Sequence, residues 1–306
     1  MVFSGHSEMS TAPVSIPLRV GPVPEVPLLA LDTVWFQVAG TLCNLACGHC
    51  FISCNPANHA HEIMSRAEVR PHLAEAETLG VNDFYYTGGE PFLNRELMEI
   101  LEDTLRIGPA TVLTNGTLIT AERARALAGL ATGSRYSLEI RVSLDGLSPA
   151  TNDPIRGEGS FEAAMRGIRE LGRAGLEPIL TAAQTWGDAE DAGLREAFHR
   201  FLREEGFTRP RVKILSLFHL GEEVRRTRGY SERELLTEAH MRDFDPLKLQ
   251  CSTSRMVTNR GVFVCPILID TPAARLGKTL RESLRPFPLA HGACHTCWAT
   301  GVTCRN

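Results

Sequence analysis

Two rhythms of apolar and polar positions alternate along the chain, and the switch between them is regular from residue 33 to residue 217. Short runs rich in β-branched and aromatic residues read as strands: "TVWFQVA" (33–39), "DFYYT" (83–87), "TVLTN" (111–115), "LEIRVSL" (138–144), "PILTAAQ" (178–184) and "VKILSL" (212–217). Between them, apolar residues recur at helical spacing. Ser65 and Glu68 make a capping box that opens a helix to about Leu79, stopped by Gly80. Asn94 and Thr120 are placed to cap the next two helices. Ser160 opens "SFEAAMRGIRELGRAG", where Phe161, Ala164, Met165, Ile168 and Leu171 share one face, and residues 188–205 supply a fifth helix. Six alternations of roughly 30 residues imply parallel strands with right-handed crossovers. Periodicity does not choose between an open doubly wound sheet and a complete or partial barrel. In each, chemistry gathers at the C-terminal ends of the strands.

The rhythm fails at both ends. Prolines at 13, 17, 22, 24 and 27 predict an extended or disordered arm over residues 1–32, with no helix and little ladder pairing. After residue 230 the pattern predicts a helix near 231–241, then "QCSTSRMVTNRGVFVCP", in which Gly261 breaks a short strand pair, and a tail "HGACHTCWATGVTCRN". The expected division is therefore an arm (1–32), an α/β unit (33–230) and a small cysteine-rich α+β unit (231–306). No internal repeat at a solenoid period is visible.

Composition narrows the class. With 306 residues, 43% of them hydrophobic, the chain can bury one large core and a small appended unit. A net charge of −4 gives no electrostatic footprint for nucleic acid or an anionic membrane, and the short run Arg225, Arg226 and Arg228 reads as a solvated face. The start "MVFSGHSEMSTAPV" lacks a secretory pattern, and no stretch approaches the roughly 18 apolar residues of a membrane helix. A cytoplasmic location follows as an expectation. There, nine cysteines, an odd number, suit metal binding better than disulfides.

Four of those cysteines fall within "TLCNLACGHCFISC" (41–54), where Cys43, Cys47 and Cys50 form a C-x3-C-x2-C array directly after the first strand. Thiolates on so tight a loop can wrap one face of an iron–sulfur cube and leave one iron without a protein ligand. A zinc knuckle that borrows Cys54 or His49 is the alternative. Cys54 otherwise reads as a buried thiol, with a reactive thiol as the minority view, and His49 has no assigned role.

The array resembles the motif of the radical S-adenosylmethionine (radical SAM) superfamily, and the resemblance covers roughly residues 33–217. "TGGEP" (87–91) follows the second strand as that family's methionine-amine loop does, "VSLDG" (142–146) ends the fourth strand, and "IRGEGSFEAAMRGIREL" (155–171) resembles its helix-opening segment. The resemblance implies a partial (β/α)6 TIM-type barrel. It also implies a [4Fe-4S] cluster on Cys43, Cys47 and Cys50, whose fourth iron is chelated by S-adenosylmethionine. One electron would then cleave the cofactor to a 5′-deoxyadenosyl radical that takes hydrogen from a substrate. Residues implied at the cofactor are Gly88, Gly89, Glu90 and Pro91 in the glycine loop, Ser143 at ribose or carboxylate, and Phe51 against adenine. Asn115, Thr181 and Gln184 stand at strand ends facing the same mouth. An electron donor such as flavodoxin or ferredoxin is the implied partner.

Cys251, Cys265, Cys294, Cys297 and Cys304 crowd the last 56 residues. They resemble the auxiliary-cluster extensions called SPASM and Twitch, but five cysteines fall short of the seven that a two-cluster pattern needs. One extra cluster on Cys251, Cys265, Cys294 and Cys297 is expected, with Cys304 a possible substitute. Structural zinc on the same thiolates is the alternative, and His291 and His295 flank the pair without being expected ligands. The segment before the first strand is too short for the winged-helix module that many peptide-modifying members carry. A small-molecule substrate is therefore favoured over a peptide-modifying maturase, and an electron-transfer or sensor protein lies outside the enzyme class. Further substrate candidates are Gln37, Tyr85, His219, Glu222, Glu223, Arg225 and Tyr230.

Overall fold

The computed structural model describes residues 22–301. The expected arm over 1–21, and Cys304, lie outside the described residues. In chain order the elements are β1 (Glu25–Val26), β2 (Thr33–Gln37), α1 (Arg66–Thr78), β3 (Asp83–Thr87), α2 (Leu97–Thr104), β4 (Ala110–Thr114), α3 (Ala121–Gly133), β5 (Leu138–Ser143), α4 (Pro149–Arg156) and α5 (Ser160–Arg173). They continue with β6 (Ile179–Ala183), α6 (Asp188–Glu204), β7 (Arg211–Leu215), α7 (Glu222–Arg226), α8 (Glu238–Met241), β8 (Ser254–Thr258), β9 (Gly261–Phe263), β10 (Arg275–Gly277), β11 (Phe287–Pro288) and α9 (Gly292–Thr300).

Each of the six predicted strands is present, and β2 to β7 pair in sequence order, all parallel. Their helices bury a continuous apolar face: Val69, Leu73 and Ala76 from α1, Ile100 and Leu101 from α2, and Phe161, Met165, Ile168 and Leu171 from α5. The Ser65 capping box forms as expected, and Thr120 accepts from Arg123 N. This is a mixed sheet consistent with a partial barrel, because the two edges, β7 and β10, do not pair with each other.

Several expectations need correction. Asn94 does more than lead into α2, where its Oδ1 accepts from Glu96 N at 2.9 Å one residue ahead of the helix at Leu97. It is buried, its Nδ2 donates to Val38 O at 2.9 Å and Met64 O at 2.8 Å, and it ties the chain after β2 to the glycine loop. The helix predicted over 231–241 is broken into a 3-10 turn (Glu232–Glu234) and the four-residue α8. Helix α4 was not foreseen, because Pro149 and Pro154 mask its period; Pro149 occupies the first turn, where a missing N–H costs nothing. The described part of the arm does pair: β1 lies antiparallel to β11. The sheet also runs through the expected boundary at residue 230. Strand β8 adds in parallel to the free edge of β2, with β9 and β10 continuing antiparallel, so the order is β10-β9-β8-β2-β3-β4-β5-β6-β7.

Candidate active site and metal centres

The loop after β2 is held by its own polar groups. Gln37 Nε2 donates to Gly40 O at 3.0 Å, Thr41 Oγ1 donates to Asn58 Oδ1 at 2.9 Å, and His61 N donates to Thr41 Oγ1 at 3.1 Å. Tight turns then close between Cys47 O and Cys50 N and between Cys50 O and Ser53 N, both at 3.1 Å. The glycine loop after β3 is laced to this one: Gly89 N donates to Gly40 O at 2.9 Å and Glu90 N to Leu42 O at 3.0 Å. Two glycines permit the approach. A Cβ on Gly89 would stand 2.0 Å from Leu42 O, and one on Gly88, whose φ is +147°, would stand 2.9 Å from Ala39 N.

A cavity of about 1250 Å³, counting its open mouth, lies at the C-terminal ends of the strands. It brings together Cys43, Cys47, Cys50, Gly88, Gly89, Asn115, Ser143, Phe51 and Thr181. Gln37 and Cys54 line it as well, and Phe218 packs on Phe51 at 5.7 Å. Three expected residues are not in the lining. Gln184 gives its backbone N–H to Leu215 O at 2.8 Å, and Pro91 is buried in a 3-10 turn. Glu90 is fully buried and accepts from Phe92 N at 3.1 Å, Thr114 Oγ1 at 2.7 Å and Asn115 N at 2.8 Å. Its carboxylate therefore organises the loops after β3 and β4. Burial raises its pKa, and those three donors oppose the rise.

Asn115 is positioned by that carboxylate and turns its Nδ2 to Asn44 Oδ1 at 2.9 Å and Cys43 Sγ at 3.7 Å. Among the other candidates, Tyr85 lies beneath the cavity, stacked on Trp35 at 4.3 Å. His219, Glu222, Glu223, Arg225 and Tyr230 do not line it. That segment reaches the site through Phe218 and through Glu222 N, which donates to Cys50 O at 2.9 Å.

Sequence reasoning missed a buried charge cluster. Asp145 Oδ2 lies 2.6 Å from both His49 Nε2 and Arg156 Nε, and Oδ1 accepts from Ala183 N at 2.7 Å. Burial alone would raise Asp145, but Arg156 and His49 outweigh it and hold the carboxyl well below the usual range. The cluster pins the middle of the cysteine loop to the ends of β5 and α4, and Gly48 N donates to Ile155 O at 2.8 Å beside it. Its members stand inside the quoted motifs, but 96 residues separate His49 from Asp145, so no local pattern reports the pairing.

None of the eight described cysteines is in a disulfide. Desolvation pushes Cys43 up to about 12 and Cys47 to about 11. A hydrogen bond from Cys54 holds Cys50 below the ordinary thiol value and drives Cys54 up. Such thiols ionise when a bound cation replaces the proton. Among the described residues, no three His, Cys, Asp or Glu side chains close on a point as a single ion requires. Thiolates are the donors that an iron–sulfur cluster takes, and three of them line this cavity. The cavity also keeps polar atoms for an occupant: Trp35 Nε1, Gln37 Oε1 and Thr181 Oγ1 have no hydrogen-bond partner.

A second cavity, of about 430 Å³, is lined by Cys251, Cys265, Cys294 and Cys297 among apolar side chains, including Leu249, Val264 and Phe287. Helix α9 carries Cys294 and Cys297 one turn apart, while Cys251 and Cys265 flank the β8–β9 hairpin. Burial raises Cys251 strongly and Cys294 to about 12. Ile267 lines both cavities and forms part of the wall between them. His291 is buried and stacks on Phe287 at 6.2 Å, and His295 packs on Trp298 at 5.5 Å; neither lines the cavity.

Comparison with known proteins agrees with this geometry. Residues 38–188 match the model of the radical SAM superfamily. The chain is similar to mycofactocin maturase MftC of Mycolicibacterium smegmatis, 34% identical over 135 residues, which is 44% of this chain and 33% of that protein. It is likewise similar to Fe-coproporphyrin III synthase of Methanosarcina barkeri, 34% identical over 137 residues, again 44% and 33% of the two chains. GTP 3′,8-cyclase of Peptoclostridium acidaminophilum is 32% identical over 143 residues, 45% of this chain and 42% of that one. The chain spans about a third of the length of the first two relatives and somewhat more of the third. Among solved structures, Streptococcus suis SuiB bound to S-adenosylmethionine aligns with TM-score 0.58 and 17% identity over 80% of this chain and 62% of that one. Native anSMEcpe with bound AdoMet aligns with TM-score 0.59 and 15% identity over 82% and 79%. These likenesses bear on the fold. No helix among the described residues is long and apolar enough to cross a membrane. Residues 38–188 carry a radical SAM domain, whose relatives are enzymes, and that family implies a [4Fe-4S] cluster and S-adenosylmethionine.

Proposed function

We propose that the protein cleaves S-adenosylmethionine reductively at a cluster held by Cys43, Cys47 and Cys50 and takes hydrogen from a small-molecule substrate in the barrel mouth. The observation that carries this reading is the convergence of the three cysteines, the glycine loop, Ser143, Asn115 and Thr181 on one cavity. When bound, cluster and cofactor together supply a carbon-centred radical able to abstract hydrogen. The chain's own task is to bind, orient and exclude. Gly88 and Gly89 present backbone carbonyls where the cofactor's amino group would lie, Ser143 and Thr181 offer hydroxyls from adjacent strands, and Phe51 offers an aromatic face. The apolar walls Trp35, Leu215, Phe218 and Met256 keep water from the reacting atoms. The cofactor and substrate must share the one cavity, which favours a small substrate group.

A second iron–sulfur centre on Cys251, Cys265, Cys294 and Cys297 completes the reading, with an external electron donor of the flavodoxin or ferredoxin type. A peptide substrate that inserts one residue is the second reading, supported by the similarity to a mycofactocin maturase. The test is anaerobic reconstitution with iron and sulfide, followed by addition of S-adenosylmethionine and a reductant. Formation of 5′-deoxyadenosine and methionine, lost in Cys47→Ala, is the expected result. Iron bound with no cofactor cleavage and no change in the cluster's electron paramagnetic resonance (EPR) signal would leave an electron carrier instead.

A further inference from the structure

Arg255, on β8, is 1% exposed and is among the largest fully buried side chains. Its guanidinium donates to main-chain carbonyls: Nε to Ser283 O at 3.0 Å, Nη1 to Cys251 O at 2.7 Å and Ser254 O at 2.8 Å, and Nη2 to Arg285 O at 2.9 Å. None of these partners is a carboxylate. The charges that act on it are the Cys251 and Cys265 thiols, when ionised, and a second cation, Arg285. A guanidinium stays protonated in proteins, and carbonyl dipoles satisfy its N–H groups without cancelling its charge. A desolvated cation without an opposing charge is costly, so a fold that keeps one is built to receive an anion beside it.

The first cysteine set offers a contrast. There Arg156, beside Cys47, already has Asp145 at 2.6 Å, so that centre faces a compensated pair. The C-terminal set has an uncompensated cation bonded to the main chain of Cys251, behind the cavity lining. Arg255 also grips the carbonyl of Cys251 itself, so one side chain sets both the position of a ligand residue and the local field. Four thiolates make any iron–sulfur centre they hold net negative, and each added electron makes it more so. A fixed cation buried just behind that lining, on the main chain of Cys251, therefore favours the reduced form over the oxidised one.

We propose that Arg255 is the built-in counter-charge of the C-terminal thiolate centre and raises its reduction potential. This rests on reading Cys251, Cys265, Cys294 and Cys297 as ligands of a redox-active iron–sulfur centre. The test uses the full chain, reconstituted anaerobically, with Arg255→Met, which removes the charge and keeps an apolar stem, and Arg255→Lys, which keeps the charge. Iron and zinc are counted first, and each centre is then titrated potentiometrically by EPR. In Arg255→Met the C-terminal centre should become harder to reduce by about tenfold, which is 59 mV for one electron. The centre at Cys43, Cys47 and Cys50 should not move, and Arg255→Lys should stay close to the parent.

A loaded Arg255→Met protein with an unmoved potential overturns the proposal, as does an equal shift in both variants, which would make the role steric. If Arg255→Met does not hold its metal, Arg255→Lys decides: a loaded centre at the parent potential supports the proposal, and a lost or lowered one overturns it. Parent protein with iron only at the first set, or with zinc at the second, refutes the second iron–sulfur centre itself, and the metal count separates that failure from a failure of tuning.

Discussion

Replacing Gly89 by alanine tests whether the two loops that build the cavity act as one unit. The new methyl would stand 2.0 Å from Leu42 O, 2.3 Å from Leu42 C and 2.8 Å from Cys43 N, all backbone atoms. Carbon contacts are comfortable at about 3.5–4.0 Å, so one loop must move by about 1.5 Å. Overpacking of this kind costs about 1–3 kcal/mol. The movement also breaks Gly89 N to Gly40 O and Glu90 N to Leu42 O, at about 1 kcal/mol each. Together the loss is about 3–5 kcal/mol, or about 6–10 °C in melting temperature for a chain of this size. Because the atoms struck belong to the cysteine loop, iron loading at Cys43, Cys47 and Cys50 should fall with stability. Gly129→Ala is the control: it lies within α3 with nothing within 4 Å of the added methyl, and should stabilise by about 0.5–1 kcal/mol. Thermal unfolding and iron analysis of both variants read the difference. Parental melting and full iron in Gly89→Ala would refute the coupling of the loops.

Other substitutions probe the cluster and its supports. Asp145→Asn leaves Arg156 buried without its counter-charge and should cost about 3–5 kcal/mol by denaturant unfolding. Because the folded carboxyl is held low, the parent's advantage should be present above about pH 4 and lost as pH falls through the depressed folded value. Glu90→Gln puts an amide N–H against the donors from Thr114, Asn115 or Phe92 and should cost about 1–3 kcal/mol, measured the same way. Cys54→Ala should keep parental iron content, since Cys54 stands outside the proposed ligand set; loss of iron equal to that in Cys50→Ala would make it a ligand.

Most of the parallel sheet and its helices was legible in the sequence, because buried parallel strands and amphipathic helices write their periods locally. "DFYYT" became β3 at its own limits, and the face of α5 buried the five residues expected. What was missed shares a cause. Asn94 reads as a cap, and its Oδ1 does take Glu96 N, but its Nδ2 also joins Val38 and Met64, contacts that only the folded loops create. Glu90 stands in a motif for cofactor binding, yet its carboxylate faces Thr114 and Asn115, supplied by the following strand. The His49–Asp145–Arg156 cluster and the parallel docking of β8 on β2 are both long-range events, and neither leaves a periodic trace.

The docking of β8 fixes how the two cysteine pockets can communicate. Trp35 and Met256, partners across the β2–β8 ladder, both border the larger cavity, while Cys251 and Cys265 bracket the hairpin that β8 begins. A hinge between the pockets would have to tear main-chain hydrogen bonds along that seam. The separation of the two sets of thiols is therefore set by the backbone rather than by a hinge, whatever each set holds.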